Sequence, residues 1–487
     1  MKKIRRPSLL PVALAVSAVL LGVYSISLYL GNAASSVEAQ SKQTQKYVEL
    51  IKYFGGYNSK QDTLLVLANN AELRFGGGFI GSVGLISAKD GKVNSQPIQG
   101  VYSIDSDKNN QFSKYQPPHY MNTLTKILGL RDSNTQLNWP DDAERAIYYY
   151  ALNTNKKAQN VVQISPNMID ALLEKLGPVY LKKYDKTISH QNFRDSVQLE
   201  VESGIDKQNK LDPKSGILGD LANELFARLV QKDLSELSQY IPLLEKLVSE
   251  KQLLVYSSDP HIQQLISSLG ASGELKKTDE NYFMYAEANI VANKDSPYIK
   301  NSIDMQQTIN LDGSSTVQTT INSLLDTDYR YEYLDPNINK KLWLVGDDIS
   351  YVKVLLPPGT KIISMTGEKN NKLINLEEVE SGSSEGKHAV GFLRRLKPYE
   401  SQKVTLVYSV PTHYVLSTNV VVNLVMQKQL GGWPYDFHYA LVMPDKDYQL
   451  KAASVSPVER LVGSLNTVVY NDRVNTDKIL SFIYDKK

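Results

Sequence analysis

Near residue 300 the hydrophobic period of this chain changes, and that change limits the possible folds more than any other feature. Before it, apolar residues recur at helical spacing between short apolar runs. After it the period is two and helix signals almost vanish, which predicts an antiparallel β-sandwich-like module over 301–411. Ser302-Ile303-Asp304-Met305-Gln306 and Ser315-Thr316-Val317-Gln318-Thr319 flank Leu311-Asp312-Gly313, a hairpin signature. Further strands are expected over 341–345, 350–356, 361–366, 387–394 and 402–409. Gly367–Gly386, rich in Lys, Asn, Glu and Ser, reads as a long exposed hairpin or loop. Short strands such as Val420–Val425 and Tyr439–Val442 predict a second β-module over 412–487, or an extension of the first.

Residues 60–300 read as an α/β domain. Thr63–Leu67 and Val83–Ser87 are apolar strands, the second followed by the turn Lys89-Asp90-Gly91-Lys92. Helices are expected over 121–130, 141–153, 166–176 and 259–269, and strands over 161–164, 179–182 and 253–256. Pro166 and Gly177-Pro178 bracket Ile169, Leu172, Leu173 and Leu176, a start signal and a stop signal around one helical face. Residues 190–250 read as a helical insertion, with leucines at spacings of three and four over 217–230 and 233–249. Their joint, Gln231-Lys232-Asp233, is short enough for an antiparallel pair.

The N-terminus carries Lys2, Lys3, Arg5 and Arg6 over residues 1–7, then Leu9 to Leu30 without one charged side chain. As a helix that stretch rises about 33 Å, enough for a hydrocarbon core of about 30 Å. Residues 8–30 are therefore expected to be a transmembrane helix embedded in the lipid bilayer through 9–30. The basic flank places the N-terminus in the cytoplasm and 31–487 outside it, in a single-pass arrangement. A cleavable signal peptide, cut near Gly31-Asn32-Ala33-Ala34, is the competing reading, but its apolar region would exceed the usual ~7–15 residues. Residues 31–59 read as a helical stalk ended by Gly55-Gly56. The chain has no cysteine, which excludes disulfides, thiolate metal sites and cysteine catalysis and suits an oxidising exterior. A net charge of +2 gives no field to gather nucleic acid. With six histidines and no H-E-x-x-H spacing, a zinc hydrolase has little to build from.

Asn69-Asn70-Ala71-Glu72-Leu73-Arg74, followed by Gly76-Gly77-Gly78-Phe79-Ile80-Gly81-Ser82, resembles the signature of a bacterial domain of unknown function, DUF4012. Leu137-Asn138-Trp139-Pro140-Asp141, Ser165-Pro166, Leu176-Gly177-Pro178-Val179 and Glu280-Asn281-Tyr282 with Ala288-Asn289 and Asn293-Lys294 continue the likeness over roughly 60–310, the last as the strand that closes the domain. Phe75-Gly76 stands where the family commonly has Pro-Thr before the glycines. The resemblance implies an exported, membrane-anchored envelope protein and no particular chemistry. Strand Asp62–Leu67 and the Val162–Val179 unit are distantly similar to the LytR-CpsA-Psr enzymes, which transfer glycan polymers from lipid pyrophosphate onto the cell wall.

Asp62, Asn69, Asn70, Glu72 and Arg74 are expected at and beyond the end of the first strand, where α/β sheets commonly bind ligands. Arg74 could fork onto a phosphate, with the amides of Gly76, Gly77 and Gly78 as an anion nest. The plainer reading pairs Arg74 with Glu72 and gives the glycines to a turn. Asp105 and Asp107, with Asp141, Asp142 and Glu144, could offer oxygen to Mg²⁺ or Ca²⁺, although a solvated loop and a helix first turn account for them equally simply. His119, His190 and His261 have no partner spacing for a triad. Trp433–Tyr439 reads as a sugar-stacking or protein-contact surface, or as module core.

Two functions follow. The preferred one is a non-enzymatic envelope protein without cofactor that binds an envelope glycan or surface protein. The alternative is a Mg-dependent glycan phosphotransferase acting on polyprenyl-pyrophosphate-linked polymers, with Arg74 as phosphate clamp, Asp62, Asp105 or Asp107 on the metal, and Arg131, Arg145 or Lys126 joining Arg74 in a groove.

Overall fold

The computed structural model describes residues 37–96, 98–203, 213–230, 236, 239–278, 280–335, 340–416, 418–461 and 466–486. The expected span at 9–30 and the joint at 231–233 lie outside these residues, and among the described residues no helix is long and apolar enough to cross a membrane. The chain divides into two compact units. The first comprises the chain up to Asn69, Gly76–Pro117 and Ile127–Glu274; the second comprises Asn70–Phe75, Pro118–Lys126 and the chain from Leu275 onward.

In the first unit, helix α1 (Val37–Phe54) precedes strands β1 (Gln61–Asn69), β2 (Phe79–Lys89) and β3 (Lys92–Ser95). Helix α2 (Trp139–Thr154), β4 (Asn160–Ile164), α3 (Pro166–Leu176), α4 (Phe193–Ser203), α5 (Pro213–Val230), α6 (Ile241–Ser249), β5 (Leu253–Ser257) and α7 (Pro260–Ser268) follow. The sheet runs β3-β2-β1-β4-β5, with Gln99–Gly100 on β2. Only the β1–β4 join is parallel. Strands β4 and β5 are buried at every residue, the polar Asn160, Gln163 and Ser257 included.

Helix α3 has the expected ends: Ser165 Oγ accepts from the Asn167 amide at 3.3 Å, Pro166 occupies the first turn, and Gly177 at φ +82° lets the chain turn away. In α5, Ile217, Leu221, Leu225 and Leu229 are buried in the same core as Val162, Ile164, Leu172 and Leu173. Arg228 on α5 donates to the carbonyls of Leu176 and Pro178 at 3.2 and 3.0 Å, satisfying the end of α3. The helical insertion thus completes the first unit's core. The expected helix over 121–130 is absent: only short 3₁₀ turns, His119–Met121 and Leu130–Asp132, occur around it. The unit boundary falls inside this stretch, since Pro118–Lys126 belongs to the second unit and Ile127 onward to the first.

The second unit is built from two sheets around one core. Its strands are β6 (Asn281–Asn289), β7 (Ile299–Ile309), β8 (Ser315–Leu325), β9 (Asp348–Leu356), β10 (Lys361–Lys369), β11 (Lys372–Ile374), β12 (Glu377–Ser384), β13 (Lys387–Leu396) and β14 (Ser401–Val410). They continue with β15 (Asn419–Met426), β16 (Tyr435–Val442), β17 (Tyr448–Ala453), β18 (Glu459–Leu461), β19 (Thr467–Val474) and β20 (Lys478–Lys486). One sheet has the order β11-β10-β14-β8-β7-β16-β19-β18 and the other β12-β13-β9-β6-β15-β20-β17. Arg330–Asp335 and Lys340–Val345 form a separate two-stranded ribbon.

The segment 412–487 therefore extends both sheets of 301–411 rather than standing apart. The strand expected to close the α/β domain, β6, is instead central to a sheet of the second unit, paired with β9 and with β15. The sheets are not purely antiparallel: β7–β16 and β6–β15 are parallel. Val352, Val354, Phe392 and Phe482 from one sheet meet Ile303, Leu406, Phe437 and Tyr439 from the other in a single cluster. The period of two is what allows this, because alternate residues of each strand face inward.

One end of that interior carries charge. Arg394, 1% exposed, donates Nε to Asp348 Oδ2 at 2.7 Å, Nη2 to Asp348 Oδ1 at 3.2 Å and Nη1 to Glu287 at 2.6 Å. Tyr285 also donates to Glu287 at 2.7 Å. Asp295, fully buried nearby, accepts from Asn289 at 2.7 Å through Oδ1, while its Oδ2 has no hydrogen-bond partner among the described residues. Burial, reinforced by the Asp348 charge, holds the Asp295 carboxyl well above its ordinary value of 3.8.

Two predictions follow from this end of the core. Arg394→Met strands two buried carboxylates and should lower the unfolding free energy by about 3–5 kcal/mol, read as a fall in denaturant midpoint. A carboxyl with a raised folded-state pKa binds its proton more tightly when folded, so its stabilisation is present below the unfolded pKa and lost as pH rises through the folded one. Asp295→Asn cannot ionise, so its melting temperature relative to the unsubstituted chain should climb as pH rises above about 4, the ordinary range of an unfolded Asp.

Candidate functional site

The residues expected to form one ligand site are distributed differently. Asp62 stands at the start of β1 and Asn69 at its end, about 23 Å away at strand rise. Asp62 is occupied locally: it accepts from Ser87 Oγ through Oδ1 and pairs with Lys60 at 2.8 Å through Oδ2. Asp62, Asn69, Gly76, Gly77 and Gly78 belong to the first unit, and Asn70, Glu72 and Arg74 to the second.

Within the second unit, Asn70–Phe75 meets the end of β6 and the turn that follows it. The Asn289 amide donates to the Leu73 carbonyl at 2.9 Å and the Ser296 amide to the Ala71 carbonyl at 3.2 Å. Arg74, 2% exposed, donates Nη2 to Glu72 Oε1 at 2.8 Å and Nη1 to the Asn289 carbonyl at 2.6 Å. Lys294 closes on Glu72 Oε2. Asn70 Nδ2 reaches the Gly431 carbonyl at 3.0 Å, and Gln429 Nε2 reaches the Arg74 carbonyl at 3.1 Å. The signature's polar side chains therefore fasten backbone to backbone inside a buried layer, and Arg74 pairs with Glu72 as the simpler reading held.

The glycines have a packing role in the first unit. Gly77 and Gly78 sit at φ +111° and +129°, a region that side-chain-bearing residues rarely adopt. A Cβ on Gly76 would lie 2.2 Å from Asp142 Oδ2 and 2.8 Å from Asn134 Cβ. The Gly76 amide donates to Asn134 at 3.1 Å, Gln163 donates to the Gly76 carbonyl at 2.7 Å, and Asn134 Nδ2 donates to the Gly78 carbonyl. The loop is gripped by the protein's own groups, which is not the open cradle an anion nest needs.

Asp105 and Asp107, the weak metal candidates, hold a cation of the chain itself. Arg131 donates Nη1 to Asp105 at 3.0 Å and Nη2 to Asp107 at 2.9 Å. Asp105 also accepts from Asn110 at 2.6 Å and from the amides of Leu130 and Arg131 at 2.9 and 3.1 Å, which ties the irregular loops together. Gly129 permits the approach, since a Cβ there would be 2.5 Å from Asp105 Oδ2. That donor set does not fit a divalent cation, which needs several of these oxygens free. Asp142 accepts from the Gln136 amide at 3.0 and 3.1 Å, and Glu144 from the Tyr256 hydroxyl at 2.8 Å. Arg145 donates to Thr135 Oγ1 at 2.6 Å. Lys126 is exposed in the second unit.

His119 lies 2.9 Å from Glu380, and His261 lies 2.7 Å from Glu49, both exposed. His190 faces Asp170, whose carboxyl is raised by burial although Arg194 and His190 oppose the rise. The run Trp433–Tyr439 is largely core: Tyr435, Phe437 and Tyr439 are buried, and Trp433 Nε1 donates to the Asn70 carbonyl at 3.0 Å. Sequence reasoning missed a different aromatic group. Tyr329 and Trp343 are 43% and 42% exposed with ring centroids 5.6 Å apart, and Tyr399 is 59% exposed. The Tyr329 hydroxyl donates to Asp347 at 2.6 Å, which pushes its pKa up to about 12. An aromatic in an alternating strand reads as core, and only the separate ribbon turns Trp343 outward.

Residues 58–201 match the family described as Protein of unknown function (DUF4012). No curated protein matches the chain. Among solved structures, a candidate nutrient-binding protein of Legionella pneumophila is 11% identical over 42% of this chain and 71% of its own, with a TM-score of 0.28. An M1 zinc metallopeptidase of Deinococcus radiodurans is 14% identical over 38% of this chain and 42% of its own, with a TM-score of 0.21. A candidate protease of Parabacteroides distasonis is 9% identical over 39% of this chain and 41% of its own, at 0.24. The chain spans under half the length of the latter two, and scores this low carry no argument.

Asp105→Asn should destabilise the first unit by about 1–3 kcal/mol, because a neutral amide cannot hold Arg131 and accept from two amides at once. Thermal unfolding should show the same loss with and without millimolar Mg²⁺, and Mg²⁺ rescue of the unsubstituted chain alone would contradict this assignment.

Proposed function

We propose that the chain is an extracytoplasmic envelope protein, anchored through 9–30, that binds an envelope glycan or surface protein and does not turn over a substrate. The observation that carries this reading is Arg74. A phosphate clamp must present its guanidinium to a ligand, whereas this one is buried and bonded to Glu72 and to the Asn289 carbonyl. Asp105 and Asp107, which a phosphotransferase would use on Mg²⁺, are neutralised by Arg131. The basic N-terminal flank and the uncharged stretch behind it support the anchor and its direction. The absence of cysteine agrees with an oxidising exterior.

In intact cells, added protease should degrade the bulk of the chain, and the undigested protein should leave the membrane fraction only with detergent. Protection of residues beyond 31, or recovery in the soluble cytosolic fraction, contradicts the reading. Mass spectrometry of the purified protein distinguishes binding from transfer, since a co-purifying polyprenyl pyrophosphate would favour the phosphotransferase.

A further inference from the structure

We propose that Tyr329, Trp343 and Tyr399, with Asp347 and Asp328, form a platform that binds a neutral, hydroxyl-rich glycan. This rests on the binding reading above and gives it a site. Tyr329 and Tyr399 lie on loops of the second unit and Trp343 on the ribbon strand Lys340–Val345, and these segments are held by backbone hydrogen bonds. The Lys294 amide donates to the Leu344 carbonyl at 2.7 Å and Asn293 Nδ2 to the Asp347 carbonyl at 2.6 Å, fixing the strand that carries Trp343. The Tyr399 amide donates to the Leu325 carbonyl at 2.7 Å and the Leu325 amide to the Glu400 carbonyl at 3.1 Å, fixing the loop that carries Tyr399. Tyr399 is held at φ +62°, a conformation that a bulky residue adopts only when its surroundings impose it.

Tyr329 donates to Asp347 at 2.6 Å, and desolvation followed by the charge of Asp328, the neighbour of Tyr329 in sequence, raises the Tyr399 hydroxyl above its ordinary value. Arg330, next to Tyr329 in sequence, lies over the Tyr298 ring, 5.0 Å from its centroid. The result is a set of ring faces open to solvent with carboxylate oxygens at their edges. Aromatic faces pack against the apolar CH face of a pyranose, and carboxylates accept from its hydroxyls. The same carboxylates repel phosphate-bearing or uronic polymers, which selects neutral sugars. A proline-rich peptide could use the rings but offers the carboxylates few donors, since proline has no amide hydrogen.

The test is titration calorimetry of the full chain, with tryptophan fluorescence in parallel, against β-linked N-acetylglucosamine oligomers, α- and β-glucans, galactans and a proline-rich peptide. At least one neutral glycan should bind, and Trp343→Ala and Tyr399→Ala should each weaken it about tenfold or more without altering the melting temperature. Phe112→Ala, which removes an exposed ring of the first unit, should leave binding unchanged. Glycan binding that survives both platform substitutions overturns the platform and leaves glycan binding elsewhere intact. No neutral glycan bound by the unsubstituted chain, or only the peptide bound, overturns the platform together with the glycan arm of the proposed function.

Discussion

Strand Asn281–Asn289 is buried at all nine residues, and the organisation of the second unit follows from covering both of its faces. Phe283 and Tyr285 point into the core between the sheets. Tyr282 points the other way, where its hydroxyl meets Gln427 at 2.8 Å and its ring lies 4.1 Å below the Lys387 ammonium. A sheet with a water-exposed outer face would show alternate polar residues, and this strand does not. Where β15 ends, irregular segments take over the open edge of this strand: the Gln427 amide donates to the Phe283 carbonyl, Gln429 bonds both the amide and the carbonyl of Glu287, and the Asn289 amide donates to the Leu73 carbonyl. Irregular backbone in a buried layer needs partners for its amides and carbonyls, and Asn70, Arg74 and Gln429 supply them, with Glu72 holding Arg74 in place.

This explains why the most recognisable stretch of the sequence is so poor a guide to chemistry. A run of Asn, Glu and Arg before three glycines has the composition of an anion site, and it also has the composition of a chain that must leave one unit, satisfy its polar groups within another and return. The energetic weights favour the second use. A buried guanidinium facing a carboxylate loses several kcal/mol of hydration and regains it only through close hydrogen bonds. Arg74, with contacts at 2.6 and 2.8 Å, meets that condition, and a ligand would have to replace those bonds to gain entry.

Local pattern carried much of the fold. The Ser165, Pro166 and Gly177 signals bound α3 where expected, and the Asp312-Gly313 turn joins β7 to β8, with Asp312 Oδ1 accepting from the Ser314 amide at 2.9 Å. What could not be read depends on distance along the chain. The parallel pairing of Leu424–Met426 with Asn281–Phe283 joins residues separated by most of the module, and no periodicity encodes it. The expected helix over 121–130 failed for a related reason, because the boundary between the two units falls inside it. Of the candidate site, residue types were legible and partners were not: Asp105 and Asp107 read as loop carboxylates, while Arg131, their partner, lies over twenty positions away in sequence.

Charge burial also separates the parts of this protein that hold shape from the part that can meet a ligand. Arg74, Arg131 and Arg394 each face carboxylates of the same chain, and in the case of Arg394 the pair is sealed between sheets where its loss would leave uncompensated charge. Such groups are poor binding elements because their geometry is already committed. Tyr329, Trp343 and Tyr399 present the opposite balance. Their rings keep large apolar faces in water at a hydrophobic cost of about 25 cal/mol per Å², and their backbones are fastened by hydrogen bonds rather than by packing of the rings themselves. Rigid rings lose little side-chain entropy on contact, which lowers one of the costs that a ligand covering them has to offset. Rings that stay exposed on a hydrogen-bonded backbone need no partner to keep their position, and covering them would take apolar surface out of water.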